Sequence, residues 1–135
     1  MLRPVRLVIV RHAEAASGEP DELRPLTAAG RDTARVLGKR LADEGLVPDA
    51  VLTSPLLRAR ETARELARPA GLEPEPDERL APGATAEAVR AAAMREQSGW
   101  WPTTITVWPR SSAAALGGGE EPAFPPGGML ALELQ

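Results

Sequence analysis

The chain has 135 residues, a formal net charge of −3, no cysteine and a single histidine. Disulfides, thiolate metal sites and a cysteine nucleophile are therefore excluded, and no basic footprint marks a nucleic-acid partner. The length predicts one domain over residues 1–135, enough to bury roughly two-thirds of the surface the unfolded chain exposes.

The first element is a strand over residues 5–10, VRLVIV, a short apolar run rich in β-branched residues. It is too short for a signal segment or a membrane span, so no membrane partner is expected. A polar loop runs from Ala15 to about Pro25. Thr27 can then cap a helix over 28–44 that places Ala34, Leu37 and Leu41 on one face, with Thr33 and Val36 alongside. Gly45 suits its C-terminal cap. A second strand, Ala50 to Thr53, follows. Ser54-Pro55 then opens another helix, with serine at the cap and proline in the first turn, where its missing N–H costs nothing. That helix ends near Pro69-Ala70-Gly71, and the proline-rich GLEPEPDERL after it has room for a short edge strand. Thr85 caps a third helix to about Gln97. Between Pro102 and Pro109, Thr103 to Trp108 has good β-propensity and reads as an edge strand. Strands alternating with helices predict an α/β layered fold with parallel strands. Fifteen arginines against the one lysine, Lys39, with abundant Ala, Gly and Pro, read as GC-rich coding. A bacterial, cytoplasmic monomer is the expectation.

In an open parallel sheet, ligands gather beyond the carboxyl ends of the strands. Arg11 and His12 stand there after the first strand, and Arg58 stands one turn into the helix after the second. If those strands are neighbours, about 4.8 Å apart, the groups converge on one small ligand. Two guanidiniums and a helix N-terminus describe an anion site, and phosphate fits it best. A lone imidazole in such a site is a candidate nucleophile. Plainer readings exist for each residue. His12 suits a strand-end histidine bonded to a backbone carbonyl, and Arg58 a surface arginine paired with Glu61 or Thr62. Ser54 suits a helix cap, Glu14 a solvated loop carboxylate, and Arg60, Arg64, Arg68 and Arg79 ordinary surface positions. With one histidine, a metal site would have to rest on carboxylates; no cluster of them stands out, so no metal or cofactor is expected.

Three segments in order, VRHAE, RPLTAAGR and LTSPLLRARETA, resemble the histidine phosphatase superfamily, and within it the small bacterial phosphohistidine phosphatases. The resemblance covers residues 5 to about 67. It implies a three-layer α/β/α fold with a mostly parallel central sheet, the phosphoglycerate mutase-like arrangement. It implies His12 as the residue that becomes phosphorylated and Arg11 and Arg58 as the phosphate clamp. Glu14 is a possible acid or water-positioning group beside the substrate, and Ser54 a possible substrate contact. The charge of the clamp would offset that of the three equatorial oxygens, so the implied reaction needs no metal. The substrate would be a phosphorylated protein or a small phosphoester.

The resemblance breaks where the family carries a second histidine after a later strand. Here the chain reads REQSGWWPTTITVWPRSSA, with all three tryptophans between Trp100 and Trp108 and no histidine. Two accounts fit residues 95–112. One is a diverged edge hairpin with its tryptophans packed on the core. The other is a pair of frameshifts. Read from the third base of the first Trp codon, WWPTTITVWP must give Val-Ala, then three residues each drawn from Asn, Asp, His or Tyr, then one from Asn, His or Tyr. Taken as written, the missing donor costs on the order of 2.7–4 kcal/mol of transition-state stabilisation, or 100- to 1,000-fold in rate. Three functions stay open: a phosphatase for phosphohistidine on a protein, a phosphatase for a small phosphomonoester, and a non-catalytic phosphate-binding module. Independent reads of the codons from Met94 to Ala113 decide the first ambiguity. The frameshift account expects them to restore a histidine, and clean in-frame codons throughout leave divergence alone.

Overall fold

The computed structural model describes residues 5–46, 48–81, 103–108 and 129–134. Within them lie β1 (Val5–Arg11), α1 (Ala28–Asp43), β2 (Ala50–Thr53), α2 (Leu57–Ala67), β3 (Glu75–Pro76), β4 (Thr103–Trp108) and β5 (Met129–Leu134). Short 3-10 turns occupy Asp21–Leu23, Arg68–Ala70 and Glu78–Leu80.

The strands form one sheet in the order β3-β2-β4-β1-β5. β4 runs parallel to both β1 and β2, β3 runs parallel to β2, and β5 runs antiparallel to β1. This corrects two expectations. β1 and β2 are not neighbours, because β4 lies between them, and β4 is a central strand and not an edge. The physical reason is visible in the ladder. Pro102 and Pro109 fall outside the strand's bounds, so the six residues between them keep every N–H for pairing. All six match β1, from Arg6↔Thr103 to Arg11↔Trp108, and four match β2, from Ala50↔Thr104 to Thr53↔Val107. The edges are β3 and β5, and at β3 Pro76 costs no ladder bond on its open side. The expected third helix from Thr85, and residues 95–102 and 109–112 of the anomalous segment, lie outside the described residues.

Both faces of the sheet are covered. Val8, Val10 and Val51 point to one face and pack with Leu37 and Leu41 of α1 and Ala59, Ala63 and Leu66 of α2. Ile9 and Leu52, one residue out of phase, face the other way and are equally buried. That is the burial pattern of an α/β sheet with layers on both sides. α1 starts as expected: the Thr27 hydroxyl accepts a hydrogen bond from the Gly30 N–H at 2.9 Å. It ends in a Schellman turn, with Gly45 at φ 79°, its N–H on the Ala42 carbonyl, and the Leu46 N–H on the Leu41 carbonyl. Its buried face is Gly30, Ala34, Leu37, Gly38 and Leu41. Thr33 and Val36, expected alongside that face, are exposed. They fall on the side of the turn away from α2, and the close approach of the helices uses Gly38 instead. A Cβ there would sit 2.8 Å from the Glu65 carbonyl oxygen of α2, so glycine lets the two helix backbones meet.

α2 begins later than Ser54-Pro55 implied. Its cap is Leu56, with no side-chain hydrogen bond, and its first helical residue is Leu57. Ser54 is fully buried, and its hydroxyl accepts only a long 3.4 Å bond from the Leu56 N–H. Residues 54–56 thus form a bend that carries the chain off β2 before the helix starts. The C-terminal end agrees with expectation: the helix tightens into the Arg68–Ala70 turn and stops at Gly71, φ 68°. Among the described residues, no helix is long and apolar enough to cross a membrane.

Candidate active site

β1 delivers Arg11 as its last residue and His12 as the first residue of the following loop. The carboxyl end of β4 comes level with it, Trp108 pairing with Arg11 in register. This is where the resemblance puts the second histidine, and here the sequence reads Val107-Trp108-Pro109-Arg110. Although β4 separates β1 from β2, α2 lies across that gap and brings Arg58 back to His12.

The geometry around the ring is specific. The Arg58 Nε lies 3.3 Å from the His12 Nε2, and the His12 Nδ1 lies 2.8 Å from the Ala13 carbonyl oxygen. Guanidinium nitrogens only donate and a carbonyl only accepts. The ring nitrogens must therefore take opposite roles: Nδ1 carries the proton and Nε2 carries the lone pair. Both His12 and Arg58 are 8% exposed. Burial is the main force holding the imidazole pKa below its ordinary value, and the charges of Arg58, Arg11 and Arg24 push the same way. The Ala13 carbonyl opposes them without reversing the direction. The site thus holds a neutral imidazole amid positive charge.

The remaining arms of Arg58 reach the loop after β1. Nη1 donates to the Asp21 carbonyl oxygen at 3.0 Å and Nη2 to Asp21 Oδ2 at 3.2 Å. Arg24 binds the same carboxylate at Oδ1, 3.0 Å, while its Nε donates to the Ala16 carbonyl oxygen at 2.8 Å. The Asp21 carboxyl is held below the usual carboxylate range, first by the Arg24 hydrogen bond and then by Arg58.

α2 presents three tethers to this loop. Besides Arg58, the Thr62 hydroxyl accepts from the Ala13 N–H at 3.1 Å and donates to the Arg58 carbonyl at 2.8 Å. Glu61 accepts from the Leu26 N–H at 2.8 Å and pairs with Arg31 at 3.1 Å. The spacing 58, 61, 62 puts all three on one helical face. On the other side, the Thr27 N–H donates to the Glu14 carbonyl, and a Cβ at Gly30 would overlap that same oxygen. The Arg-His-Ala, Leu-Thr-x-x-Gly and Arg-x-x-x-Thr segments are therefore stitched into one unit.

Of the residues singled out in the sequence, the structure brings His12 and Arg58 into contact and places Arg11 beside them as a half-buried cation at the strand end. The plainer reading of His12 also holds in part, since its Nδ1 does bond a backbone carbonyl. Glu14 is exposed, and its carboxylate accepts from the Thr27 hydroxyl at 2.8 Å, which braces the start of α1. Ser54 is buried in the bend after β2 and is not a helix cap. Arg60, Arg64 and Arg68 are exposed, and Arg79 pairs with Asp77 at 2.8 Å. Sequence reasoning did not single out Asp21 and Arg24. Their i, i+3 spacing just before Pro25 was the available signal.

Comparison with known proteins identifies the family and the fold. The profile of the histidine phosphatase superfamily (branch 1) matches residues 7–123, and the chain belongs to that superfamily. The crystal structure of the putative phosphohistidine phosphatase SixA from Agrobacterium tumefaciens superposes with a TM-score of 0.77 at 24% identity, covering 98% of this chain and 93% of that one. The protein histidine phosphatase SixA complexed with tungstate gives the same TM-score and identity over 94% and 86% of the two chains. The fold is therefore the phosphoglycerate mutase-like α/β fold of these phosphatases. In sequence, 58 residues are 41% identical to the mitochondrial serine/threonine-protein phosphatase Pgam5 of Drosophila persimilis, 42% of this chain and 20% of that protein. The match spans about a fifth of the length of that relative.

The depressed His12 pKa has a thermodynamic consequence. Above the ordinary value of 6.5, folded and unfolded chains both hold a neutral ring, and the contribution is constant. Below it the unfolded chain takes up a proton that the native site refuses, so stability falls with falling pH until the native ring also protonates. Urea unfolding of wild type and His12→Asn, from about pH 8 to about pH 5, reads this directly. The wild-type stability minus that of the variant is expected to shrink as the pH drops through 6.5. A difference that grows toward acid would mean a raised pKa and a different site.

Proposed function

We propose that this member of the histidine phosphatase superfamily is a phosphatase that works through a phosphohistidine on His12 and acts on phosphohistidine carried by another protein. The observation that carries the reading is the pair of ring contacts: Nδ1–H on the Ala13 carbonyl and the Nε2 lone pair on the Arg58 Nε–H. A neutral, oriented imidazole whose lone pair faces a guanidinium is a nucleophile beside a cationic hydrogen-bond donor for an oxyanion.

The steps follow from that geometry. The Nε2 lone pair attacks phosphorus, and the bond from phosphorus to the substrate's leaving nitrogen breaks. The Arg58 Nε–H passes from the ring nitrogen to a phosphoryl oxygen, with Arg11 adding a second positive charge. The ring becomes cationic as the bond to phosphorus forms, and the Ala13 carbonyl, already accepting from Nδ1–H, stabilises that charge. The leaving imidazole takes a proton from water. Water then attacks the phosphoryl group, the P–Nε2 bond breaks, and orthophosphate leaves with the Nε2 lone pair restored.

An imidazole leaves more readily than an alkoxide, so the reaction needs little general acid. This suits a site at which, among the described residues, the neighbouring carboxylates are already paired, Glu14 with Thr27 and Asp21 with Arg24 and Arg58. The loop over residues 17–23, one residue of which contacts Arg58, is exposed, and an exposed loop beside the site is a surface that a protein substrate can meet. The structures named a putative phosphohistidine phosphatase and a protein histidine phosphatase, of which this chain covers 93% and 86%, point the same way. The missing second histidine has a rate consequence: turnover is expected about 100- to 1,000-fold below that of a relative that carries it.

Incubation with a histidine-phosphorylated protein labelled in the phosphoryl group, followed by rapid denaturation in alkali, tests the reading. Label is expected on the wild-type chain and on none of the His12→Ala chain. Arg58→Lys, which keeps the charge but not the Nε–H, is expected to slow labelling by about 100-fold. Equal labelling of wild type and His12→Ala, or none in either with intact phosphate binding, leaves only a phosphate-binding module.

A further inference from the structure

The Asp21 carboxylate bridges two guanidiniums, with Oδ2 3.2 Å from Arg58 Nη2 and Oδ1 3.0 Å from Arg24 Nη1. One anion shared between two arginines is the arrangement a phosphoryl group would adopt. The two partners differ in exposure. The Arg58 side chain is 10% exposed, whereas that of Asp21 is 59% exposed. The buried cation is therefore fixed by the fold, and the carboxylate is the part free to move. Its backbone need not follow, because the Asp21 carbonyl separately accepts from Arg58 Nη1 at 3.0 Å and from the Arg24 N–H at 3.1 Å. Rotation of the side chain alone uncovers Nη2 of Arg58 and Nη1 of Arg24 together.

We propose that Asp21 is an internal competitor for the phosphate clamp: its carboxylate holds the outer edge of Arg58 and the tip of Arg24, an incoming phosphoryl group displaces it, and its return expels orthophosphate. The inference rests on the reading of Arg58 as part of that clamp. Ion pairs at exposed carboxylates are weak, so displacement by a multiply charged oxyanion is easy. The same weakness sets the size of the effect. Two modest pairs, and the repulsion between a carboxylate and a dianion, lower oxyanion affinity by about tenfold in total. A clamp of several arginines without such a competitor would hold its product too tightly. The position of Asp21 three residues before Arg24 keeps the competitor and one of its cations on a single turn.

Calorimetric titration of the full chain with tungstate, and separately with orthophosphate, tests this in wild type, Asp21→Asn, Arg58→Lys and the double variant. Asp21→Asn keeps the side-chain size and the main-chain contact to Arg58 while removing the charge. It is expected to bind both oxyanions about tenfold more tightly than wild type. Arg58→Lys is expected to weaken binding in either background. Affinity in Asp21→Asn equal to or below wild type, with Arg58→Lys still weakening it, overturns the competitor and leaves the clamp. Binding unchanged by Arg58→Lys, or no binding by any of the four, removes the clamp itself and the competitor with it.

Discussion

The contact between Arg58 Nε and His12 Nε2, 3.3 Å across the gap left by β4, fixes the chemistry of the site. A guanidinium has no lone pair to offer, so it accepts only the ring face that carries one. The Ala13 carbonyl makes the complementary demand at Nδ1. Between them the two partners choose the tautomer and set the ring plane, and the Arg58 charge penalises protonation. No acidic partner is needed to orient this histidine. Among the described residues its neighbours are a carbonyl and a cluster of arginines; burial does most to keep the ring neutral, the arginine charges add to it, and the carbonyl opposes them.

That contact depends on α2 being held against the loop after β1. The helix does this through one face: Arg58 on the ring, Glu61 on the Leu26 N–H, and Thr62 on the Ala13 N–H. Thr62 also bonds the Arg58 carbonyl, so the residue that fixes the histidine's peptide is tied to the turn carrying the arginine. The N–H groups of Ala13 and Leu26 would otherwise be loop donors with no ladder to join. Their satisfaction by side chains is what makes an irregular loop rigid enough to hold a reactive group. In the charged network outside it, Asp21 and Arg24 are more exposed than the buried Arg58 they surround.

Much of this was legible in the sequence because the motifs are local. The β-branched run before Arg11-His12, the Thr27 cap and the glycine stops at Gly45 and Gly71 each declare their geometry through their own residues. The α/β class followed from those elements in order; the meeting of His12 with Arg58 was expected from adjacent strands and from the family resemblance, and it is made instead by α2 reaching across β4. What failed were statements about neighbours. The place of β4 at the centre of the sheet is set by pairing with strands roughly 50 and 100 residues away, and no window of sequence contains it. The prolines that made it look like an edge turn out to bound it. Ser54-Pro55 looked like a helix start because local propensity favours one there. The burial of Ser54 in the core overrode that preference and delayed the helix to Leu57. Asp21 and Arg24 were hidden for another reason: a charged pair in a polar loop looks the same whether it is solvated or grips a buried arginine.

Because the chain has one histidine, a single measurement reads the central claim without assignment. A long-range proton–nitrogen correlation spectrum of the protein labelled with nitrogen-15 histidine, near neutral pH, distinguishes the two ring nitrogens. The account predicts a neutral ring with the proton on Nδ1 and a bare Nε2, and it predicts that Arg58→Lys shifts the Nε2 signal most. A ring protonated on Nε2, or on both nitrogens at neutral pH, would contradict it.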